Sequence, residues 1–261
     1  MTQLRHDLQA LWVSLLAEGH FCEQKAALSI VYPGAEPESE EMRAGVQAHL
    51  ALDAELEKIE REELNRRIGA GDDIRMREFP LKADFEGINL YGKIDHVEFE
   101  GPRALWVYDF KFSRYSHRLF PNHHLQLSLY GLLLAANGFD VSDLICAVVI
   151  VPPKLGKSGR LTRTDPQLAN LAIESSKELR CDGGLKRGGR LFHQAGFAVH
   201  AFKFQPVGAR RDLDDVLGYW LGLRDARVAD SAKKCQNCAF NALHLCTVAL
   251  APPKGKTGNA S

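Results

Sequence analysis

Neither net charge, nor a long apolar run, nor a leader segment marks this chain. Its 33 Lys and Arg balance 33 Asp and Glu, and the pI is near 7.1. No global field therefore announces a nucleic acid or a membrane, and any polyanion must be met locally. No window holds the roughly 18 consecutive apolar residues of a membrane span. The opening MTQLRHDLQALWVSLLAEGH lacks the basic start and small-residue cleavage site of a secretory leader, so the expectation is a cytoplasmic protein with no membrane partner. In that compartment thiols stay reduced, and the six cysteines are expected as metal ligands or core residues rather than as a disulfide frame. No internal repeat is present to suggest a solenoid.

What is present supports one substantial core. With 45% hydrophobic residues in 261 positions, a single domain over 1–250 is expected, followed by a disordered tail at 251–261. Charge is unevenly placed: residues 36–63 carry ten acids and three bases, whereas 152–190 carry nine bases and four acids. A polyanion would approach the second segment, unless both are merely solvated faces. Leucine spacing predicts a helix over 3–18, and a long charged helix is expected from Ser39 to Gly69. Three strand candidates follow, IRMREFPLKADF, INLYGKIDHVEFE and ALWVYDFKF, broken at Glu86-Gly87 and Gly101-Pro102, which implies an antiparallel meander. Then come a helix closed by Gly138, the apolar strand LICAVVIV, helices near 165–180 and 211–227, and a strand FAVHAFKF. The fold class is α/β (α+β), a sheet flanked by helices.

The meander carries charges that burial does not explain. Asp109 and Lys111 lie two apart on one strand and share a face, while Phe110 points to the other layer. An ionised carboxylate in an apolar sheet is costly unless compensated, and a divalent cation such as Mg2+ or Mn2+ would compensate it. The pattern acid-x-Lys alone is weak: 33 acids and 14 lysines make roughly two chance matches, and two exist, at Glu23 and Asp109. Only the second lies in a strand and follows another carboxylate in a Gly-x-x-Asp setting, Gly92 to Asp95. A strand-edge salt bridge is the alternative. Gln126 and Tyr130 share a helical face, fit either to orient the lysine or to edge a core helix.

In order, Gly45-x-x-x-His49, Gly92-x-x-Asp95, Asp109-x-Lys111 and Gln126-Leu-x-x-Tyr130 resemble the RecB-like branch of the PD-(D/E)XK nuclease superfamily. The resemblance implies a central mixed β-sheet in a restriction-endonuclease-like core over about 40–205. It also implies a divalent metal (Mg2+ or Mn2+) held by His49, Asp95, Asp109 and the carbonyl of Phe110. Lys111 would position or activate water, with Gln126 and Tyr130 in support. Asp109 stands where many relatives have Glu, and a lone His on an acidic helix is, without the family order, more often a surface or packing residue.

Three cysteines, Cys235, Cys238 and Cys246, form C-x2-C-x7-C near the C-terminus, one short of a closed site. Cys22, Cys146 and Cys181 remain, and Cys146 sits in an apolar strand as a core residue. Cys22, in HFCEQKAAL, resembles the N-terminal cysteine segment of the CRISPR-associated Cas-four and exonuclease V nucleases. That resemblance implies a 4Fe-4S cluster on Cys22, Cys235, Cys238 and Cys246, a clip joining 22 to 235–246. Four thiolates suit zinc equally by chemistry alone.

The expected function is a metal-dependent single-strand DNA exonuclease in CRISPR spacer acquisition or in recombination and repair, with CRISPR integrase or repair helicase partners. Lys154, Lys157, Arg160, Arg163, Lys186, Arg187 and Arg190 are expected to follow the DNA backbone. Two alternatives are a catalytically inactive nucleic-acid-binding or adaptor protein on the same fold and a zinc-stabilised structural protein.

Overall fold

Alternating burial over residues 73–112 builds the centre of the molecule. Strands β2 (Asp73–Phe85), β3 (Ile88–Glu100) and β4 (Arg103–Phe112) form the antiparallel meander expected from their turns. Glu86 and Gly87 take the left-handed backbone that a tight connection requires, and the Gly87 N–H donates to Asp84 Oδ1 at 2.9 Å. The computed structural model describes residues 3–38, 43, 46–47, 49, 61–113, 118–152, 166–180, 185, 189–193 and 196–254.

Strand β5 (Ile145–Val151) runs parallel to β4, all seven of its residues buried, as a strand covered on both faces should be. Antiparallel β7 (Ala198–Lys203) and β6 (Gly189–Phe192) extend that side. On the other side β3 pairs with β2 along its whole length and, near its start, with the two-residue β1 (Leu11–Trp12). The fold is therefore α/β with a central mixed sheet.

Helices cover both faces. Helix α4 (Pro121–Ala136) packs on one face with α1 (Val13–Phe21) and α6 (Pro206–Trp220). Their shared core includes Leu16, Ile94, Val107, Leu133, Phe204 and Trp220. Helix α5 (Pro166–Ser176) covers the opposite face over Trp106, Tyr108, Phe110 and Val149. It is anchored by polar contacts as well: Tyr108 Oη and Ser176 Oγ lie 2.9 Å apart, and Arg75 donates to Glu174.

Some expected elements shift. The leucines of 3–18 belong to a short 3-10 turn, to β1 and to α1, so one core contact set is met by three elements rather than one helix. Helix α6 starts at Pro206 and ends at Trp220, earlier than 211–227, because proline fixes its first turn and Gly222 supplies a left-handed exit. The long acidic helix is described as α3 (Arg61–Ala70) and as helical residues 43, 46–47 and 49; its remainder lies outside the described residues, as do 255–261 of the tail. Among the described residues no helix is long and apolar enough to cross a membrane.

The chain ends meet through one buried acid. Glu23, at the start of α2 (Glu23–Val31), is 2% exposed and receives both Arg224 nitrogens at 2.6 Å and the Arg227 N–H at 2.7 Å. Its own N–H donates to Arg227 O at 2.9 Å. Glu23 is buried while Arg224 keeps partial contact with water, so losing these charge-assisted hydrogen bonds in Glu23→Ala should cost roughly 1–3 kcal/mol in urea unfolding.

Candidate active site

A split in the sheet creates the site. Strands β3 and β4 pair from Glu100↔Arg103 to His96↔Tyr108 and no further. Beyond that point β4 stays with β5, β3 stays with β2, and β1 takes part of the edge of β3 at Leu90 and Tyr91. Inside the opening the Phe110 N–H is accepted by the side chain of Asp95, Oδ2, at 2.7 Å. The inward alternation of β3 resets here too: Leu90 and Ile94 face the main core before Asp95, Val97 and Phe99 after it. Opposite, Glu78 of β2 carries φ +49 within a strand, a left-handed backbone that non-glycine residues rarely adopt.

Asp109 is fully buried, and its Oδ2 has no hydrogen-bond partner. Its Oδ1 accepts from Lys111 Nζ at 2.8 Å, and Lys111 Nζ also stands 3.5 Å from Gln126 Oε1. Gln126 Nε2 in turn donates to Tyr130 Oη at 3.1 Å. The sequence-predicted Asp95, Asp109, Lys111, Gln126 and Tyr130 thus converge on one place. Helix α4 reaches β3 because Gly92 has no side chain: a Cβ there would lie 2.6 Å from Leu133 Cδ1 and 2.9 Å from Tyr130 Cε1. The Gly-x-x-Asp spacing therefore records a close approach of helix to strand.

Electrostatics follow from this burial. Desolvation first, and the nearby Asp109 second, push the Asp95 carboxyl up to about 8. Burial opposes the charge of Lys111, but Asp109 and Asp95 outweigh it and hold the ammonium above its usual range. Lys111 is accordingly a fixed positive charge, not a free base.

His49 approaches from the other side. Its Nδ1 lies 3.7 Å from Glu78 Oε1 and its Nε2 3.9 Å from Asp95 Oδ2, with its ring edge-on to Phe112 at 5.4 Å. His49, Glu78 and Asp95 each offer a donor atom, and these atoms lie within 4.8 Å of one another. Asp109, by contrast, is outside that trio and faces Lys111. Two neighbours escaped the sequence reading. Glu78, ion-paired with Lys93, lies in the unremarkable REFPL and carries no spacing signal. His123, one helical turn before Gln126, is pushed down to about 4 by burial and then by Lys111, so it is neutral; its Nδ1 is buried without a partner. Its helical phase with Gln126 was the available clue.

The profile of the PD-(D/E)XK nuclease superfamily matches residues 8–243. The chain belongs to this superfamily. Among curated proteins it is similar to exonuclease V of Danio rerio, 24% identical over 281 residues, covering 90% of this chain and 70% of that one. Among solved structures it is similar to the crystal structure of SSO0001, 14% identical with a TM-score of 0.44, covering 93% of this chain and 87% of the other. A nuclease of this superfamily hydrolyses nucleic acid with divalent metal. The residues present fit such an ion, because a buried acid with an unpartnered oxygen and a second acid held off its normal ionisation both call for a cation.

The predicted cysteine set is also brought together. Cys22, Cys235, Cys238 and Cys246 line one cavity with Phe21, Leu28 and Ala249. Cys22 caps α2, Cys235 lies in α7 (Ala232–Gln236), and Cys238 caps α8 (Ala239–Ala242). Asn241 fixes the segment by donating to Cys235 O at 2.9 Å and Ala251 O at 2.8 Å. All four are free thiols; burial raises the Cys22 thiol, helped by neighbouring Cys238 and Cys246. Cys146 is fully buried in β5. Of the basic residues, Arg190 is exposed on β6 with its guanidinium over the Phe192 ring at 4.6 Å. Lys154, Lys157, Arg160, Arg163, Lys186 and Arg187, and Cys181, lie outside the described residues.

A raised carboxyl means the folded protein holds a proton that the unfolded chain releases above about pH 4. Metal-free stability should therefore fall as pH rises from about 4 to about 8 and level off beyond. Asp95→Asn should melt above the parent protein at pH 8 and converge with it near pH 4, when thermal unfolding is followed with a chelator present.

Proposed function

We propose that this nuclease is a metal-dependent deoxyribonuclease acting mainly as a single-strand DNA exonuclease, with Mg2+ or Mn2+ at the split between β3 and β4. The observation that carries the reading is the fully buried Asp109, its Oδ2 unpartnered, beside Asp95 and Lys111. The ligands would be His49, Asp95, Asp109 and the Phe110 carbonyl, with Glu78 near enough to His49 and Asp95 to join or orient them. A bound divalent ion supplies a more acidic water and offsets charge accumulating on the phosphate.

The chain's own groups do the rest. Lys111 contributes a preorganised positive charge where the phosphate's negative charge grows, which is the role its elevated pKa permits. Gln126, held by Tyr130, faces the lysine and limits its swing between Asp109 and the substrate. The core on that face, with Leu127 and Leu133 buried on α4, keeps bulk water from screening these charges. His123 is neutral and so leaves the cationic work to Lys111. The likeness to exonuclease V supports action from an end, and the pathway, CRISPR spacer acquisition or recombination and repair, would be told by neighbouring integrase or helicase genes.

Purified protein with Mn2+ and labelled single-stranded DNA provides the test. Asp109→Ala and Lys111→Ala should each lower the cleavage rate at least about 100-fold. Cleavage surviving both changes would sink the site assignment, and a parent protein that binds but never cuts would favour an adaptor.

The four cysteines are read as ligands of a 4Fe-4S cluster with a structural role. Support comes from their gathering around one cavity, lined also by Phe21, Leu28, Lys25 and Lys234, and from the order one before and three behind the nuclease motifs. Serine at any one of the four should bleach the brown colour of the purified protein and lower its melting temperature. A colourless parent protein holding one zinc per chain would replace the cluster by zinc.

A further inference from the structure

We propose that Trp12 and Tyr91 form a stacking platform for a base of single-stranded DNA, on the same outer face of the β2–β3 ribbon that leads to Glu78 and Asp95. The inference deepens the nuclease reading and takes from it only the position of the scissile bond.

Trp12 is 55% exposed, whereas the other two tryptophans, Trp106 and Trp220, are 2% and 1% exposed. Its ring meets the half-buried Tyr91 ring at 5.5 Å with a 36° tilt. Sheet register explains the pairing: Trp12 faces Tyr91 on one edge of β3, and Lys82 faces Tyr91 on the other. Directly opposed residues share a sheet face, so both rings and Lys82 stand on one side. Burial agrees, because Leu81, Leu90, Gly92 and Ile94 turn inward while Lys82 and Lys93 are exposed.

That outward row ends at chemistry. Lys93 pairs with Glu78, and Glu78 belongs to the group formed with His49 and Asp95. From Tyr91 to Asp95 is four residues of strand, about 13 Å at about 3.3 Å each. A stacked single strand rising about 3.4 Å per nucleotide covers this in about four nucleotides.

The row thus offers aromatic faces, then cationic side chains, then the acids. An exposed indole laid against one ring keeps much of its surface in water, where it gains little from the hydrophobic effect. A nucleobase can cover it. Interior bases of a duplex are stacked on both faces, so away from its ends only an unpaired strand can supply a free face, while the lysines suit its phosphates. The platform therefore selects single strands without reading sequence, and commits this face to nucleic acid.

The experiment measures binding of an oligo-dT in a chelator, so no hydrolysis is needed. Because the other tryptophans are buried, quenching of intrinsic fluorescence by the oligomer reports on Trp12. Quenching is expected in the parent protein. Trp12→Ala and Tyr91→Ala should each weaken oligo-dT binding roughly 5- to 150-fold, the range for loss of one stacked base. Blunt duplex binding should stay unchanged, and Trp12→Phe should restore affinity while abolishing the quench. Circular dichroism checks that each variant is folded. No quenching in the parent protein, equal losses for duplex and single strand, or a folded Trp12→Ala with parental affinity would each overturn the platform. Cleavage that survives Asp109→Ala and Lys111→Ala would instead overturn the site assignment and leave the binding result standing.

Discussion

The structure depends on carboxylates buried where two strands separate. Glu78 is paired with Lys93 and Asp109 with Lys111, which leaves Asp95 as the surplus negative charge. One backbone N–H and an imidazole 3.9 Å away do not balance it, and the carboxyl responds by holding its proton. In the interior a like charge costs more than in water, so a cation is the compensation that lets both acids ionise. The same arrangement keeps Lys111 charged, since it shares the acids' surroundings.

Strand topology is what permits so much charge inside a packed sheet. Had β3 and β4 stayed paired along their length, Asp95 would compete with a ladder for the Phe110 N–H. The separation frees that donor, and Gly92 lets α4 close over the opening with Gln126 and Tyr130. Glu78, in its left-handed backbone, sits directly across the ribbon from Asp95. Rare backbone geometry and paired acids at one point are typical of places where stability has yielded to chemistry.

Much of this was legible in the sequence because the signals were local. Alternation and turn residues marked β2, β3 and β4, and the continuous apolar run marked β5. Gly92, Asp95, Asp109 and Lys111 carried the site through spacing along strands, and Gln126 and Tyr130 through helical phase. Glu78 carried no comparable mark, since its role comes from what crosses to it in space, and His123 showed only its helical phase with Gln126. Strand β1 was hidden because two residues give no period, and its leucines matched a helix equally well. The cysteines could be counted, but their common cavity is a fact of the folded chain.

The Glu23 contacts bear on what holds the thiol-lined corner together. A carboxylate and two arginine segments hold residue 23 against 224–227, so the thiol-lined cavity is tied together by oxygen and nitrogen contacts that involve no sulfur. The four cysteines thus line a corner that is held in place without them. The four thiols at this corner can therefore be exchanged one by one without releasing the acid and arginines that hold it.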